Sequence, residues 1–303
     1  MVKTHIKDRP EKAGDYTLGH IDLINHRGDI IDLKYIVIEL NIYESIYKNA
    51  VTGSIVIGDE GNQIARMSIQ GLEKIAFHLK TPGVSYGKED VIDASFETGE
   101  PYHIYKITDR KQATPGLTIY TLHFASREFM RNLRTKVSQA YDGKYDRAVI
   151  DIMKDENYLD SRKKLHYEPT GNANKIVVPN LPPFDAINMI AKRSVADKSN
   201  GVGYYFYETT KGFHFRSWAS MITNQGEFAR PPKQQFYYQP LRMGSNSKAT
   251  DQDKIEREYE TVQQYEFVNN FHDVAANTVL GTYGHRVISH NLFDKSYDIA
   301  DYN

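Results

Sequence analysis

The sequence contains no cysteine, a single tryptophan and no long apolar run. Without cysteine there is no disulfide framework, no thiolate metal ligand and no thiol redox chemistry, a composition compatible with a reducing compartment. Charges interrupt even the greasiest region, Ile30 to Ile42, so nothing approaches the ~18 consecutive apolar residues of a membrane-spanning helix. Met1 to Lys12 is charged and polar and lacks the apolar segment of a secretory signal. Charge of one sign is not in excess either: 38 Lys+Arg stand against 39 Asp+Glu, a formal net charge of −1. Proteins that grip nucleic acid over their whole surface are normally basic, so that class is disfavoured, while contact with a passing strand is not. Apolar residues are also few. Setting Tyr aside from the 40% hydrophobic class and adding the 20 Gly leaves about 39%, below the roughly 45–50% of ordinary globular domains. What is abundant is tyrosine, 22 residues beside 13 Phe in a chain of 303. Tyrosine must therefore supply part of the core, and the length permits one large domain or two of ordinary size.

Period-two patterning dominates the first 125 residues. Between Leu33 and Tyr43, Ile36, Ile38, Leu40 and Ile42 fall on one face and Leu33, Tyr35, Val37, Glu39, Asn41 and Tyr43 on the other, which predicts a long β-strand with one drier face. Shorter strands are expected at Gly53–Ile57, Leu72–Leu79, Tyr102–Thr108 and Leu117–Ala125, with turns at Gly58-Asp59-Glu60-Gly61-Asn62 and Thr81-Pro82-Gly83. Several strands at this spacing suggest a barrel or sandwich. The period then becomes helical. Ser126 is a candidate N-cap before Phe129, Met130, Leu133 and Val137. Tyr145, Ala148, Val149, Ile152 and Met153 form a second amphipathic stripe, and Pro182-Pro183 opens a third, carrying Phe184, Ile187, Ile190, Ala191 and Val195. After Gly201 the extended pattern returns, with Tyr204–Tyr207 and Phe213–Trp218 joined as a hairpin through Glu208-Thr209-Thr210-Lys211-Gly212. Gly244 to Asp253 reads as an exposed loop, its Ser-Asn-Ser-Lys run the most mobile segment, and Tyr259 to Asn303 has mixed strand character. The reading is α+β, mainly β, with regions 1–125, 126–200 and 201–303.

One internal echo stands out. Asn49-Ala50-Val51-Thr52-Gly53-Ser54 and Asn277-Thr278-Val279-Leu280-Gly281-Thr282 share N-x-V-x-G-[ST], as two copies of one β module would, or as chance would in a long chain.

Signals for chemistry are weak. Gly201-Val202-Gly203 lacks the third glycine and helix of a dinucleotide fingerprint, and no phosphate-binding G-x-x-x-x-G-K-[ST] occurs. His20 and His26 flank a loop, and His285 and His290, five apart, fall on opposite faces of a strand, which argues against a zinc site. There is no G-x-S-x-G elbow. The carboxylate pairs Asp155/Glu156 and Asp251/Asp253 sit in polar runs that do not offer the dry surroundings of a general acid. Arg162-Lys163-Lys164 reads as a solvated loop or helix edge rather than a nucleic-acid patch. The aromatic runs Tyr204-Tyr205-Phe206-Tyr207 and Phe236-Tyr237-Tyr238 suit strands with one side in the core and the other in a protein interface, more than base- or sugar-stacking platforms. No catalytic, cofactor-binding or metal-binding residue is expected.

Four ordered stretches carry a resemblance: Asn41 to Asp59 (with Gly71-Leu-Glu-Lys-Ile75 and Lys80-Thr-Pro-Gly83 after it), Pro182 to Ile190, Gly203 to Ser217, and Gly281 to Tyr297. Together the sequence resembles the baseplate hub subunit of T-even-type contractile-tailed bacteriophages, a family also related to the base of type VI secretion spike proteins. The resemblance implies a non-enzymatic structural virion protein of the tail baseplate, assembled in the bacterial host cytoplasm, with no cofactor and no membrane anchor. It implies two tube-type antiparallel β-barrels, at 1–125 and 201–303, around a helical α+β insert at 126–200. Three subunits would form a homotrimeric, pseudo-six-fold ring that joins the hexameric tail tube, or a tube-initiator protein, to a trimeric spike. Other baseplate proteins would surround it, and DNA would pass without specific binding. The internal echo fits such a duplication, and the net charge suits a neutral or acidic lumen. The family's elements beyond its second barrel help to dock the spike, whereas this sequence stops at Asp301-Tyr302-Asn303, in an expected strand. A carbohydrate- or receptor-binding β module of a tail, motivated by the tyrosines, and a tail-associated cell-wall hydrolase are the alternatives.

Overall fold

The computed structural model describes residues 16–60, 73–81, 90–98, 100–198, 202–223, 236–238, 261–266 and 273–302. The chain divides into two compact units, Met1–Gln235 with Ala249–Tyr259, and Phe236–Lys248 with Glu260–Asn303.

The first unit opens with β1 (Thr17–Ile24), β2 (Ile30–Asp32), β3 (Val37–Tyr43), β4 (Thr52–Glu60), β5 (Lys74–Thr81), β6 (Asp90–Asp93), β7 (Tyr102–Thr114) and β8 (Leu117–Ala125). They form one antiparallel sheet in the order β2-β1-β5-β7-β8-β4-β3, with β6 added beside β5. Among the described residues the sheet is open at β2 and β3 and does not close into a barrel. Alternation places Ile21, Leu23, Ile55, Ile57, Ile75, Phe77, Ile104, Leu122 and Phe124 in one core, joined by Leu33 and Val51 from the connections. Three of its rings pack together, Tyr102 lying 5.2 Å from Phe124 and 5.5 Å from Phe77. The distal half of β7 runs out of this core and is largely exposed.

The strand expected over Leu33–Tyr43 is shorter than its apolar pattern suggested. The Asp32 carboxylate accepts the Lys34 amide at 2.8 Å, and the Leu33 carbonyl accepts the amides of Ile36 and Val37, closing a turn before β3 begins. As the edge of the sheet, β3 has no fully dry face, and Ile38 is 60% exposed. Conversely, Gly58-Asp59-Glu60, expected as a turn, continues β4 by pairing with Ile119, Thr118 and Leu117; Gly61 and Asn62 lie outside the described residues, as do Pro82 and Gly83 of the second expected turn.

After β8 come α1 (Arg127–Arg134), β9 (Val137–Tyr141), α2 (Tyr145–Lys154), β10 (Leu165–Tyr167), β11 (Ile176–Leu181), α3 (Pro183–Ala191), β12 (Tyr204–Thr209), β13 (Gly212–Ser217) and α4 (Trp218–Thr223). All five stripe residues of α2 are buried, as are Phe184, Ile187, Ile190 and Ala191 of α3. They share a core with Val137, Ile176, Val178, Tyr204, Phe206, Phe213 and Phe215, so the β12–β13 hairpin packs with the helices. The hairpin loop is tighter than expected: Thr209 pairs with Gly212, leaving only Thr210-Lys211, and Gly212 takes φ +124° with its α-carbon against the Lys164 carbonyl. A side chain there would meet that oxygen at 2.4 Å.

Helix α1 departs from its expected apolar face. Ser126 has extended dihedrals but makes no side-chain cap, and the buried residue of the helix is Glu128. Leu133 is 62% exposed, and Val137 belongs to β9 instead.

In the second unit, β14 (Tyr237–Tyr238) pairs with β15 (Thr261–Val262), α5 (Val274–Val279) is capped by the Asp273 carboxylate, which accepts the Ala276 amide at 2.9 Å, and β16 (His285–Asn291) forms a hairpin with β17 (Ser296–Tyr302). The Gly244–Asp253 loop reading, with its Ser-Asn-Ser-Lys run, lies outside the described residues. The two copies of the echo fold differently. In the first, Val51 is buried and Thr52-Gly53-Ser54 starts β4. In the second, Asn277-Thr278-Val279 ends a helix, Val279 is exposed, and Gly281 turns the chain at φ +76°. The architecture is α+β and mainly β, built mostly from antiparallel sheets, with β10 beside β13 and β14 beside β15 as parallel pairs, and among the described residues no helix is long and apolar enough to cross a membrane.

Candidate functional site

Three of the sequence stretches that carry the resemblance meet at one place in the first unit. The connection from β3 to β4 runs over the β12–β13 hairpin, and Asn49 is its anchor. Its Nδ2 donates to the Phe206 carbonyl at 2.7 Å and to Asn188 Oδ1 at 3.0 Å, while Asn188 Nδ2 returns a bond to Asn49 Oδ1 at 3.0 Å. The Tyr47 ring stands edge-on to Tyr205 at 5.9 Å, and Glu44 accepts the Thr210 amide. A first-sheet loop, a helix and a hairpin about 140–160 positions away are thus held by side-chain amides satisfied on both sides, the arrangement a partly buried asparagine requires. Asn49→Ala leaves the Phe206 carbonyl and Asn188 unpaired and is expected to cost about 1–3 kcal/mol. In a double-mutant cycle with Asn188→Ala, urea unfolding should give strongly non-additive losses; simple additivity would refute the coupling.

Beside this anchor lies a buried charge cluster. Lys163 Nζ sits 2.6 Å from Glu208 Oε1 and 3.2 Å from Glu128 Oε2, with 11% of its side chain exposed against 1% and 2% for the carboxylates. Glu208 Oε2 accepts the Val51 amide at 2.8 Å, and Glu128 Oε1 accepts the Ser161 hydroxyl at 2.7 Å. The ammonium also lies 5.9 Å from the Tyr102 ring centre and 6.0 Å from that of Phe213, so one cation touches aromatic walls of both apolar cores. Burial works against the Lys163 charge, but the two carboxylates outweigh it and hold its pKa above the ordinary lysine value. Burial raises Glu208, partly offset by Lys163. A carboxylate held this way, bonded at both oxygens, is suited to fixing two bodies together rather than to exchanging protons with a substrate.

This cluster corrects the reading of Arg162-Lys163-Lys164 as a solvated edge: its middle residue is buried. Dry carboxylates also exist, away from the pairs considered in the sequence. Asp155 is bonded to Asn157 in an exposed turn, and Asp251 and Asp253 lie outside the described residues. Glu208 was legible in principle, because it continues the Tyr204, Phe206 alternation into the core. Glu128 and Lys163 carry no comparable signal. Of the aromatic run, Tyr204, Phe206 and Tyr207 are buried, so they are walls and not platforms. The exposed rings are instead Tyr47 and Trp218, joined through Tyr205 at 5.9 and 5.8 Å. In the second unit Phe236, Tyr237 and Tyr238 are exposed. His285 and His290 point to opposite faces of β16, each beside its cross-strand tyrosine, Tyr302 and Tyr297. Among the described residues no cluster of ligating side chains is arranged to hold a metal ion.

No family model matches the chain, and no curated protein matches it in sequence. Solved structures do. A tail protein from Neisseria meningitidis MC58 is 13% identical over 73% of this chain and 54% of its own, with a TM-score of 0.42. The prophage tail protein gp18 from Listeria monocytogenes EGD-e is 7% identical over 75% and 56%, also at 0.42. The E. coli c3393 protein, a type VI secretion component with structural similarity to T4 bacteriophage tail proteins gp27 and gp5, is 9% identical over 66% and 48%, at 0.37. These neighbours are phage tail and type VI secretion proteins. The chain spans about half the length of each of these three solved structures.

Proposed function

We propose that the chain is a non-enzymatic structural subunit of a contractile phage tail, the central hub of its baseplate. The observation that supports this reading is the meeting of Asn49, Asn188 and Phe206, one from each of three stretches that resemble the hub family. Those stretches meet at a structural joint, and the buried charges beside it are paired within it, one ammonium between two carboxylates. In this reading 1–125 and 201–303 contribute tube-type barrels, completed against neighbouring subunits, and 126–200 is the insert. Three copies form a pseudo-six-fold ring between the hexameric tube, or its initiator, and the trimeric spike, within a shell of other baseplate proteins. Edge strand β3, with exposed Ile38 and Tyr43, is the kind of surface that an assembly covers. DNA passes through the ring unbound, so carboxylates should outnumber Lys and Arg on its inner wall. Electron cryo-microscopy of assembled tails, with the chain located by a tag, should place three copies in one ring at the spike base. A protein found outside the tail axis, or a ring with a strongly basic lumen, would overturn the proposal.

The exposed Tyr47–Tyr205–Trp218 strip favours a second reading, a carbohydrate- or receptor-binding module. A stable monomer that retains glycans on an array, and loses them on Trp218→Ala, would replace the hub reading. Clearing of a cell-wall suspension by the purified chain would replace both with a hydrolase.

A further inference from the structure

We propose that a cleft in the first unit, between the starts of β5 and β7 and the first turn of α1, binds a compact dianion of the phosphate or dicarboxylate class. This goes beyond the structural role and does not rest on it. The cleft is open to solvent and offers about 190 Å³, room for a small dianion with part of its hydration.

Its chemistry is set by four cations that reach it from separate parts of the chain: Lys74 from β5, Arg127 from α1, and Arg162 and Lys163 from the segment before β10. Two of them are already engaged. Lys163 is held between the carboxylates of Glu128 and Glu208, and Arg127 donates to the Asp160 carboxylate and carbonyl. Lys74 and Arg162 form no ion pair among the described residues, and they leave the cleft with cationic donors to spare. The wall also holds His103, the cross-strand partner of Lys74. Burial, and then the nearby charges of Lys74 and Arg127, with Arg134 adding to them and Glu128 opposing, press its pKa down to about 4. The imidazole is thus neutral near pH 7 and offers one N–H donor; burial chiefly opposes its protonation, and the nearby positive charges, which an anion would offset, add to that.

A further feature fits an anionic occupant. Helix α1 begins beside the cleft with no side-chain cap at Ser126, so its first amides add partial positive charge. Glu100 also stands on the wall, and burial is the main cause that pushes its pKa upward, against its charged form.

The test uses the full chain with ring-labelled histidine, His103 being assigned through His103→Gln. Inorganic phosphate and succinate are titrated separately at constant ionic strength, with chloride as the reference. Binding predicts a saturable shift of the His103 resonance and a rise of its pKa by about one unit. Lys74→Gln and Arg162→Gln should each weaken the affinity about fivefold or more with no change in unfolding temperature. A His103 shift that is linear and equal in chloride, or an affinity that both variants leave intact, would overturn the proposal. Saturation by phosphate alone or succinate alone would confirm the site and fix which class it takes.

Discussion

Lys163→Met is expected to destabilise the first unit by about 3–5 kcal/mol, the usual cost of leaving a buried charge without its partner. The lysine is the only cation within ion-pair distance of Glu128 and Glu208 among the described residues, and both carboxylates are almost wholly dry. Methionine fills most of the volume, so the loss is electrostatic and not a cavity. Two further measurements separate these causes. The triple variant Lys163→Met, Glu128→Gln, Glu208→Gln removes all the charge and should recover most of the stability, since a buried ion cluster is seldom better than a neutral one of equal shape. In the single variant, the stranded carboxylates bind protons more readily folded than unfolded. Its deficit should therefore narrow as pH falls from neutrality toward the ordinary glutamate value of 4.5, because the native state takes up the extra proton first. Denaturant unfolding at several pH values checks both points. A pH-independent deficit, undiminished in the triple variant, would mean that shape and not charge holds the joint.

Gly53→Ala should cost about 3 kcal/mol or more, at or beyond the upper end of ordinary overpacking. The added methyl would lie 2.2 Å from Phe124 Cζ and 2.4 Å from the Asn41 carbonyl oxygen. Phe124 is fully buried among Phe77 and Tyr102, and Asn41 is fixed by its pairing with Ser54, so neither neighbour can retreat cheaply. Adding Phe124→Leu should restore part of the loss by relieving the ring contact but not the backbone one. Gly281→Ala, at the matching position of the echo, is a different experiment: its cost is the left-handed backbone, about 1–2 kcal/mol. Equal losses for the two glycines would argue that the copies are structurally equivalent, and unfolding midpoints decide it.

The two glycines mark how far the sequence could be followed. Short-range patterns were legible: β8 occupies Leu117–Ala125 as its alternation predicts, and the α2 stripe from Tyr145 to Met153 is buried in full. Apolar alternation fixed strand existence but not strand ends, because the turn at Leu33 to Ile36 is made by hydrogen bonds that the Asp32 carboxylate and the Leu33 carbonyl accept from backbone amides, which a hydrophobic pattern does not encode. A shared hexapeptide did not give a shared structure, since Val51 has a sheet core to enter and Val279 remains exposed.

The candidate site divides in the same way. That Asn49, Asn188 and Phe206 belong to stretches of interest was visible in the chain; that they touch was not, because hydrogen bonds between side chains about 140–160 residues apart leave no periodic trace. Lys163 was the clearest failure of local reasoning, being flanked by basic residues that do face solvent. By itself the sequence determined a cysteine-free, tyrosine-rich, nearly neutral chain with strand and helix segments in a set order, all properties carried by composition and by periods of two and 3.6 residues. Only the tertiary structure decided which charges are dry, since burial of Lys163, Glu128 and Glu208 depends on two apolar cores closing around them, and that closure is a property of the whole unit and of no single stretch.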